Sequence, residues 1–453
     1  MHWQPYTPDD KTPWNVRRVI HLHRRAGFAA TWDEIERDLK DGPQTTIDRL
    51  LAGKAYSTAV PEDFEATSRL LADAAVGSGN IQRLKAWWLF RMMYSPDPLG
   101  ERLALLWHNH FATSYRKVQD VAMMRRQNDL FRQFGRAPFA ELLGPVVKDP
   151  AMLLWLDADS NRRAHPNENL ARELMELFTL GVGNYGETDV QEAARALTGW
   201  TVKNREFREL PAYHDNGEKT VLGRRGNWRG DDLIALLIDQ PATALRLAKR
   251  LCELLMGEAT VEQPALDELA ECLRSTQLHI GSAVETVLRS SAFFDDKNLG
   301  RRVLGPAEYL IGAVRALEAL DPPPTTMVLA EWMALLGQDL FEPPNVFGWA
   351  GGRTWINSRS LVARGNFARR LADGGLQNPA ATIGWVALAQ RHGCGENADA
   401  FAGLLAKLLW GAETSDEARQ IKQRVLGDDT ALTPENSRRL VAALLGSPAA
   451  QLG

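Results

Sequence analysis

Three stretches of the chain hold ionisable side chains at spacings that chemistry can use. In Trp107-His-Asn-His110 two histidines stand two residues apart, and imidazoles are common ligands for transition metals. Residues at i and i+2 of a helix point to nearly opposite sides, so His108 and His110 can share one divalent metal only if the helix ends there. Otherwise His110 is a satisfied core histidine and His108 a surface one. The second stretch, from His165 to Thr201, carries Glu173 and Glu176. At i, i+3 their Cβ atoms stand roughly 5–6 Å apart, close enough to share a metal, a proton or an arginine. The same residues also fit a solvated face of Asn169, Glu173 and Glu176 with an Arg172–Glu176 pair, worth only about 0.3–0.5 kcal/mol.

The third stretch, His214-Asp215-Asn-Gly-Glu-Lys219, sets a histidine beside a carboxylate and a lysine. Such a set can move protons or bind an ion, although turns are rich in Asp, Asn and Gly for conformational reasons alone. Trp200, Trp349 and Trp355 offer flat faces for a sugar or another ring, and buried tryptophan is equally ordinary core material. Other patterns are excluded. Gly181-x-Gly183-x-x-Gly186 follows a helical pattern instead of a strand, so it lacks the context of a dinucleotide site. No HExxH, Walker loop, GxSxG or Glu-x-x-His is present.

The elements that must position these groups are mostly helices. One is expected from Pro166 or Asn167 to Leu180, where Gly181 suits a left-handed cap. A second opens at Thr188-Asp-Val-Gln191, a capping-box spacing, and closes at Gly199 with Val190, Ala193, Ala194 and Leu197 on one apolar face. Upstream, a helix from about Leu99 places Leu103, Leu106, Trp107 and His110 on one side. Downstream, 241–256 carries an apolar stripe of Ala244, Ala248, Leu251, Cys252 and Leu255. Residues 201–223 lack helical period and hold the turn dipeptide Asn216-Gly217, so a hairpin or extended excursion is expected there. The loop 337–355 is long and aromatic, which argues for function over disorder.

The fold class expected is mainly α: a large multi-helix unit with residues 1–375 as the main domain and 376–453 as a helical segment packed on it. Of 453 residues, 45% are hydrophobic and 24% charged, the balance of a soluble globular protein. A net charge of -4 excludes an electrostatic case for nucleic acid or an anionic membrane. Three cysteines without CxxC spacing specify neither disulfides nor a thiolate zinc site. The N-terminal stretch lacks the apolar core of an export signal, and no run approaches about 20 apolar residues. On sequence, the expected compartment is the cytoplasm.

Taken together, WHNHFATS at 107–114, NENLARELMELFTLGVGNY at 167–185, DVQEAARALTGWT at 189–201, HDNGEKTVLG at 214–223, QPATALRLAKRL at 240–251, and PPNVFGWAGGRTWIN with RGNFARRL at 343–371 resemble the bacterial domain of unknown function 1800 family. The resemblance spans nearly the whole chain. It implies a mostly helical unit without a settled activity. It also implies frequent export and a possible partner from the domain of unknown function 1501 family, which resembles sulfatase and phosphatase folds. His108, His110, Asn167, Asn169, Arg172, Glu173, Glu176, Arg195, His214, Asp215, Asn345 and Trp349 all sit in its motifs.

Two functions fit these residues. In the first, a hydrolase acts on a polysaccharide or other polymer in a polar pocket where the 165–180 helix meets the end of the 99–110 helix and the 201–223 excursion. Glu173, Glu176, His214 and Asp215 then do the acid–base work. Arg172, Arg195, Asn167, Asn169, Trp200, Asn345 and Trp349 bind substrate, and His108 and His110 hold a metal. In the second, the polar motifs form a closed network in a non-catalytic accessory or binding protein that partners the 1501 family. An open pocket with a carboxylate pair and a histidine favours the enzyme; salt-bridged closure favours the accessory protein.

Overall fold

Short polar side chains start many of the helices, each taking up backbone N–H groups that a helix leaves unpaired. Asn15 accepts from Arg18 N at 3.2 Å, Asn80 from Gln82 N at 2.8 Å, Asp97 from Gly100 N at 2.9 Å and Asp120 from Met123 N at 3.0 Å. A computed structural model describes residues 2–377, 383–412 and 415–453. Helices dominate these residues, and the strands among them form two small two-stranded antiparallel sheets. The mainly α class expected from the sequence is the one observed.

The chain opens with a helical hairpin, Val16–Ala26 and Trp32–Leu51. Phe64–Ser78 then packs on Ile81–Tyr94 across Gly79. Pro98–His110 runs through the centre with one apolar cluster around it that reaches from Tyr6 to Ala450. Pro241–Leu255 pairs with Gln263–Ser275, and Pro306–Ala316 is followed by the ordered loop 337–355. Near the C-terminus Ala398–Trp410 packs on Val16–Ala26, and Pro434–Leu445 packs on Ser358–Ala372. Among the described residues, no helix is long and apolar enough to cross a membrane.

Two local expectations need correction. The 167–180 helix is α-helical only over Asn169–Glu173; Leu174–Thr179 is wound as a π-helix, with Leu180 N bonded to Met175 O at 2.8 Å. Arg172 is taken by Glu168 and Glu187 and Glu176 by Tyr185, and the expected Arg172–Glu176 pair does not form. The 201–223 excursion is two hairpins: β1 (Trp200–Lys203) with β2 (Glu206–Glu209), then β3 (Lys219–Val221) with β4 (Arg224–Gly226). Their tight turns fall on Asn204-Arg205 and Leu222-Gly223, all with positive φ, the backbone that two-residue hairpin loops demand. Asn216-Gly217 makes a local turn instead, in which Gly217 N donates to Asp215 Oδ1 at 2.8 Å.

Asp149 starts the helix Pro150–Trp155 from a buried position. Its Oδ1 accepts from Ala151 N, Met152 N and Gln127 Nε2, while Oδ2 is buried without a hydrogen bond. Burial pushes its carboxyl from 3.8 up to about 7, against the pull of Arg126. The folded state therefore holds a proton that the unfolded chain has lost, and stability falls as pH rises through this window. Asp149→Asn keeps the acceptor and removes the charge, so it stabilises the protein at about pH 8. By urea unfolding that advantage shrinks by about 2–3 kcal/mol on going to about pH 5; an effect that does not change with pH contradicts the assignment.

Candidate functional site

The helix Pro98–His110 ends in three polar residues that point three ways. His108 is buried among Trp88, Phe341 and Trp349, with ring centroids 5.4, 5.5 and 5.5 Å away, and its Nε2 accepts from Phe341 N at 3.1 Å. His110 lies among Trp107, Phe111 and Phe178, and its Nε2 stands 3.1 Å from Phe178 O, to which it donates. Burial holds both imidazoles neutral, His108 down to about 3. The rings serve opposite sides of the helix and share no metal position. Among the described residues no group of three or more His, Cys, Asp or Glu side chains could hold a metal ion.

Asn109, between the histidines, closes on the aromatic loop. Its Oδ1 accepts from Trp349 N at 2.6 Å and its Nδ2 donates to Trp349 O at 3.2 Å. Gly348 makes that approach possible: its φ is +74°, and a Cβ there would lie 2.1 Å from Asn109 Oδ1. The loop is thus held at Phe341 by His108 and at Trp349 by Asn109. Asn345 stands exposed in the turn between them, its Oδ1 accepting from Phe347 N at 3.0 Å.

Beneath Trp349 opens a cleft of about 270 Å³, near the lower end of the range for small-ligand sites. Pro98–His110, Pro241–Leu255, the start of Pro306–Ala316 and the loop at 349–355 wall it in. Its floor is a buried carboxylate, Glu308. Glu308 Oε2 accepts from Gly305 N at 2.5 Å, capping the helix, while Oε1 lies 2.5 Å from Arg102 Nη2 and also pairs with Arg302. Burial alone would raise this carboxyl; Arg102 and Arg302 overcome that and hold it down to about 2. Arg250 pairs with Glu253 at 3.3 Å on one wall, and Gln338 and the half-buried Trp355 stand on the other.

Most of the motif residues at 165–219 are engaged in separate local contacts. Arg172 binds Glu187 through two bonds of 2.9 and 2.8 Å and Glu168 at 3.0 Å. Asn167 and Asn169 tie the helix start to Asp157, and Asn167 N donates to Asn161 Oδ1. Arg195 joins Asp215 at 2.7 Å to Glu192 at 2.8 Å, and Lys219 Nζ is spent on Asp215 O and Gly217 O. His214 is buried with Nδ1 on Thr198 O at 2.9 Å and Nε2 unpartnered. Trp200 is core, pressed against Gly230 and edge-on to Phe207. Glu176 accepts from Tyr185 Oη at 2.6 Å. Glu173 is half-buried, and burial and then Glu176 push its carboxyl above the usual range.

Of the residues singled out by sequence, Trp349 and Trp355 line the cleft, and His108 supports the loop that carries them. Arg102, Asn109, Arg302 and Glu308 do the rest, and all but Arg302 left a trace. Asn109 sits inside the histidine pair, Gly305-Pro-Ala-Glu308 has capping-box spacing, and Arg102 is a charge beside the stripe of Leu99, Leu103 and Leu106.

Asn109→Ala removes both bonds to Trp349 and leaves a buried N–H unpaired. We expect a loss of about 2–3 kcal/mol in urea unfolding together with faster amide exchange across 341–352. Unchanged exchange there means that Asn109 does not hold the loop.

No curated protein and no solved structure matches the chain. The signature of the family described as "Protein of unknown function (DUF1800)" matches residues 21–452, and so takes in most of the opening hairpin, the central helix, the cleft and the aromatic loop. The chain belongs to that family.

Proposed function

We propose that this protein is a non-catalytic saccharide-binding protein and that the cleft under Trp349 receives one sugar unit of a polysaccharide. The observation that carries this reading is the two-point hold on the loop, which sets Trp349, with Trp355 further along the same loop, beside a wall of guanidinium, carboxylate and amide groups. Flat apolar faces beside a few fixed polar groups suit a pyranose ring, whose C–H face stacks while its hydroxyls bond. The closed state of the Arg195–Asp215–Glu192 and Arg172–Glu187 contacts supports binding over acid–base chemistry, since groups already paired are not available to a substrate. In this reading a hydrolase-like partner of the 1501 family does the chemistry on the same polymer.

One observation favours the hydrolytic alternative. Glu173 is a half-buried carboxyl with no ion pair and a raised proton affinity, the state a general acid needs. One experiment separates the two readings. Oligosaccharides of neutral and acidic composition are titrated by calorimetry and the same samples are assayed for new reducing ends. Binding without cleavage is expected, weakened about tenfold to a hundredfold in Trp355→Ala, a loss of about 1.4–3 kcal/mol. Absence of binding contradicts the saccharide reading. Cleavage that disappears in Glu173→Gln replaces it with the hydrolase.

A further inference from the structure

Four guanidiniums gather around one buried carboxylate at the floor of this cleft. Arg102 and Arg302 flank Glu308, and Arg24 and Arg25, from the helix Val16–Ala26, lie behind them within the field of the same carboxylate. Arg24 gives one bond of 2.8 Å to Leu452 O. Arg25 is fully buried and reaches only Asn298 O, at 3.3 Å. Nε of all four, and Nη1 of Arg25, are buried without a hydrogen-bond partner. Of the other side-chain carboxylates nearby, Glu253 is taken by Arg250, and Glu258, exposed at the rim, reaches Arg25 only through its field.

A guanidinium stays charged in a protein, and burying an ion without a counter-charge costs several kcal/mol. Four guanidiniums around one buried side-chain carboxylate therefore leave an unmet demand for negative charge, in a chain whose overall charge is -4. Arg102 is itself only 2% exposed yet lines the cleft, so the demand faces a space that a ligand can enter. We propose that the cleft floor is an oxyanion site, where Arg102 and Arg302 bind a carboxylate or sulfate ester on the sugar unit and Arg25 adds its field from behind. Planar guanidinium forks suit both groups, because each presents two oxygens at the spacing of paired N–H donors. The proposal rests on the saccharide reading for the rest of the ligand, while the anion site is tested without any sugar.

Thermal unfolding is followed with inorganic sulfate replacing chloride at fixed ionic strength. The expected result is a saturable rise in Tm, distinct from the unsaturable rise that excluded salts give. Arg302→Gln weakens the apparent sulfate affinity by about tenfold, equivalent to 1.4 kcal/mol. Arg25→Met, which removes an unpaired charge while keeping its bulk, unfolds no lower than the wild type without sulfate and responds less to it. A response that does not saturate, or is equal in Arg302→Gln, overturns the site. So does a lower Tm of Arg25→Met without sulfate, which means the charge was already compensated.

Oligogalacturonate and neutral galacto-oligosaccharide then distinguish the two claims. Tighter binding of the acidic oligomer by about tenfold, lost in Arg302→Gln, supports the oxyanion site. Equal binding of both sugars overturns it and leaves the saccharide reading standing. A saturable sulfate response with no binding of either oligomer supports the oxyanion site and overturns the sugar.

Discussion

The buried carboxylate of Glu308 sets the geometry on which the rest of the site depends. It caps the helix Pro306–Ala316 through Gly305 N and takes Arg102 and Arg302 into ion pairs. Losing one member of a buried pair costs about 3–5 kcal/mol, because the other is left as an uncompensated ion. Arg102 therefore locates the helix Pro98–His110 relative to the 306–316 helix, and the end of that helix places His108 and Asn109. Those two residues in turn hold Phe341 and Trp349. A single ion-pair hub thus fixes both the floor of the cleft and the loop above it.

The polar motifs of this chain divide into closed and open sets. Around 165–219 Arg172 meets Glu168 and Glu187, Arg195 meets Glu192 and Asp215, and β3 packs on the helix Glu187–Ala196 beside the second set. Such networks are worth most as determinants of a unique packing, since every partly satisfied alternative is costly. The cleft behaves differently. Around its floor the guanidiniums of Arg25, Arg102 and Arg302 outnumber the one buried carboxylate, Glu308, several of their nitrogens lack partners, and the cleft opens beside two indoles. Charge that the fold leaves unmet is where a ligand has most to contribute.

Much of the architecture was legible in local chemistry. The helix expected from about Leu99 runs over Pro98–His110, the face of Val190, Ala193, Ala194 and Leu197 went to the core, and the aromatic loop proved ordered. The π-winding at Leu174–Thr179 was not legible, because the same apolar spacing fits an α-helix. Near the end of this segment the carbonyls of Leu177 and Phe178 are taken by Arg246 and His110, contacts that no local spacing announces. The hairpin turns were missed because Asn204-Arg205 and Leu222-Gly223 are weaker turn signals than Asn216-Gly217. The cleft itself was hidden for a further reason. A histidine pair attracts notice as metal chemistry, whereas an asparagine between its members or an arginine beside a leucine stripe acquires meaning only when distant segments meet.

The central claim is that Glu308 is the ionised hub of the cleft, and the pH dependence of the Glu308→Gln penalty tests it most directly. By urea unfolding, the variant should lose about 3–5 kcal/mol near neutral pH. A carboxyl held down to about 2 against 4.5 in the unfolded chain stabilises the fold above that range and loses the contribution as pH falls through it. The gap between wild type and variant should therefore narrow steadily below 4.5. A variant as stable as the wild type at neutral pH, or a gap that stays constant into acid, contradicts the account.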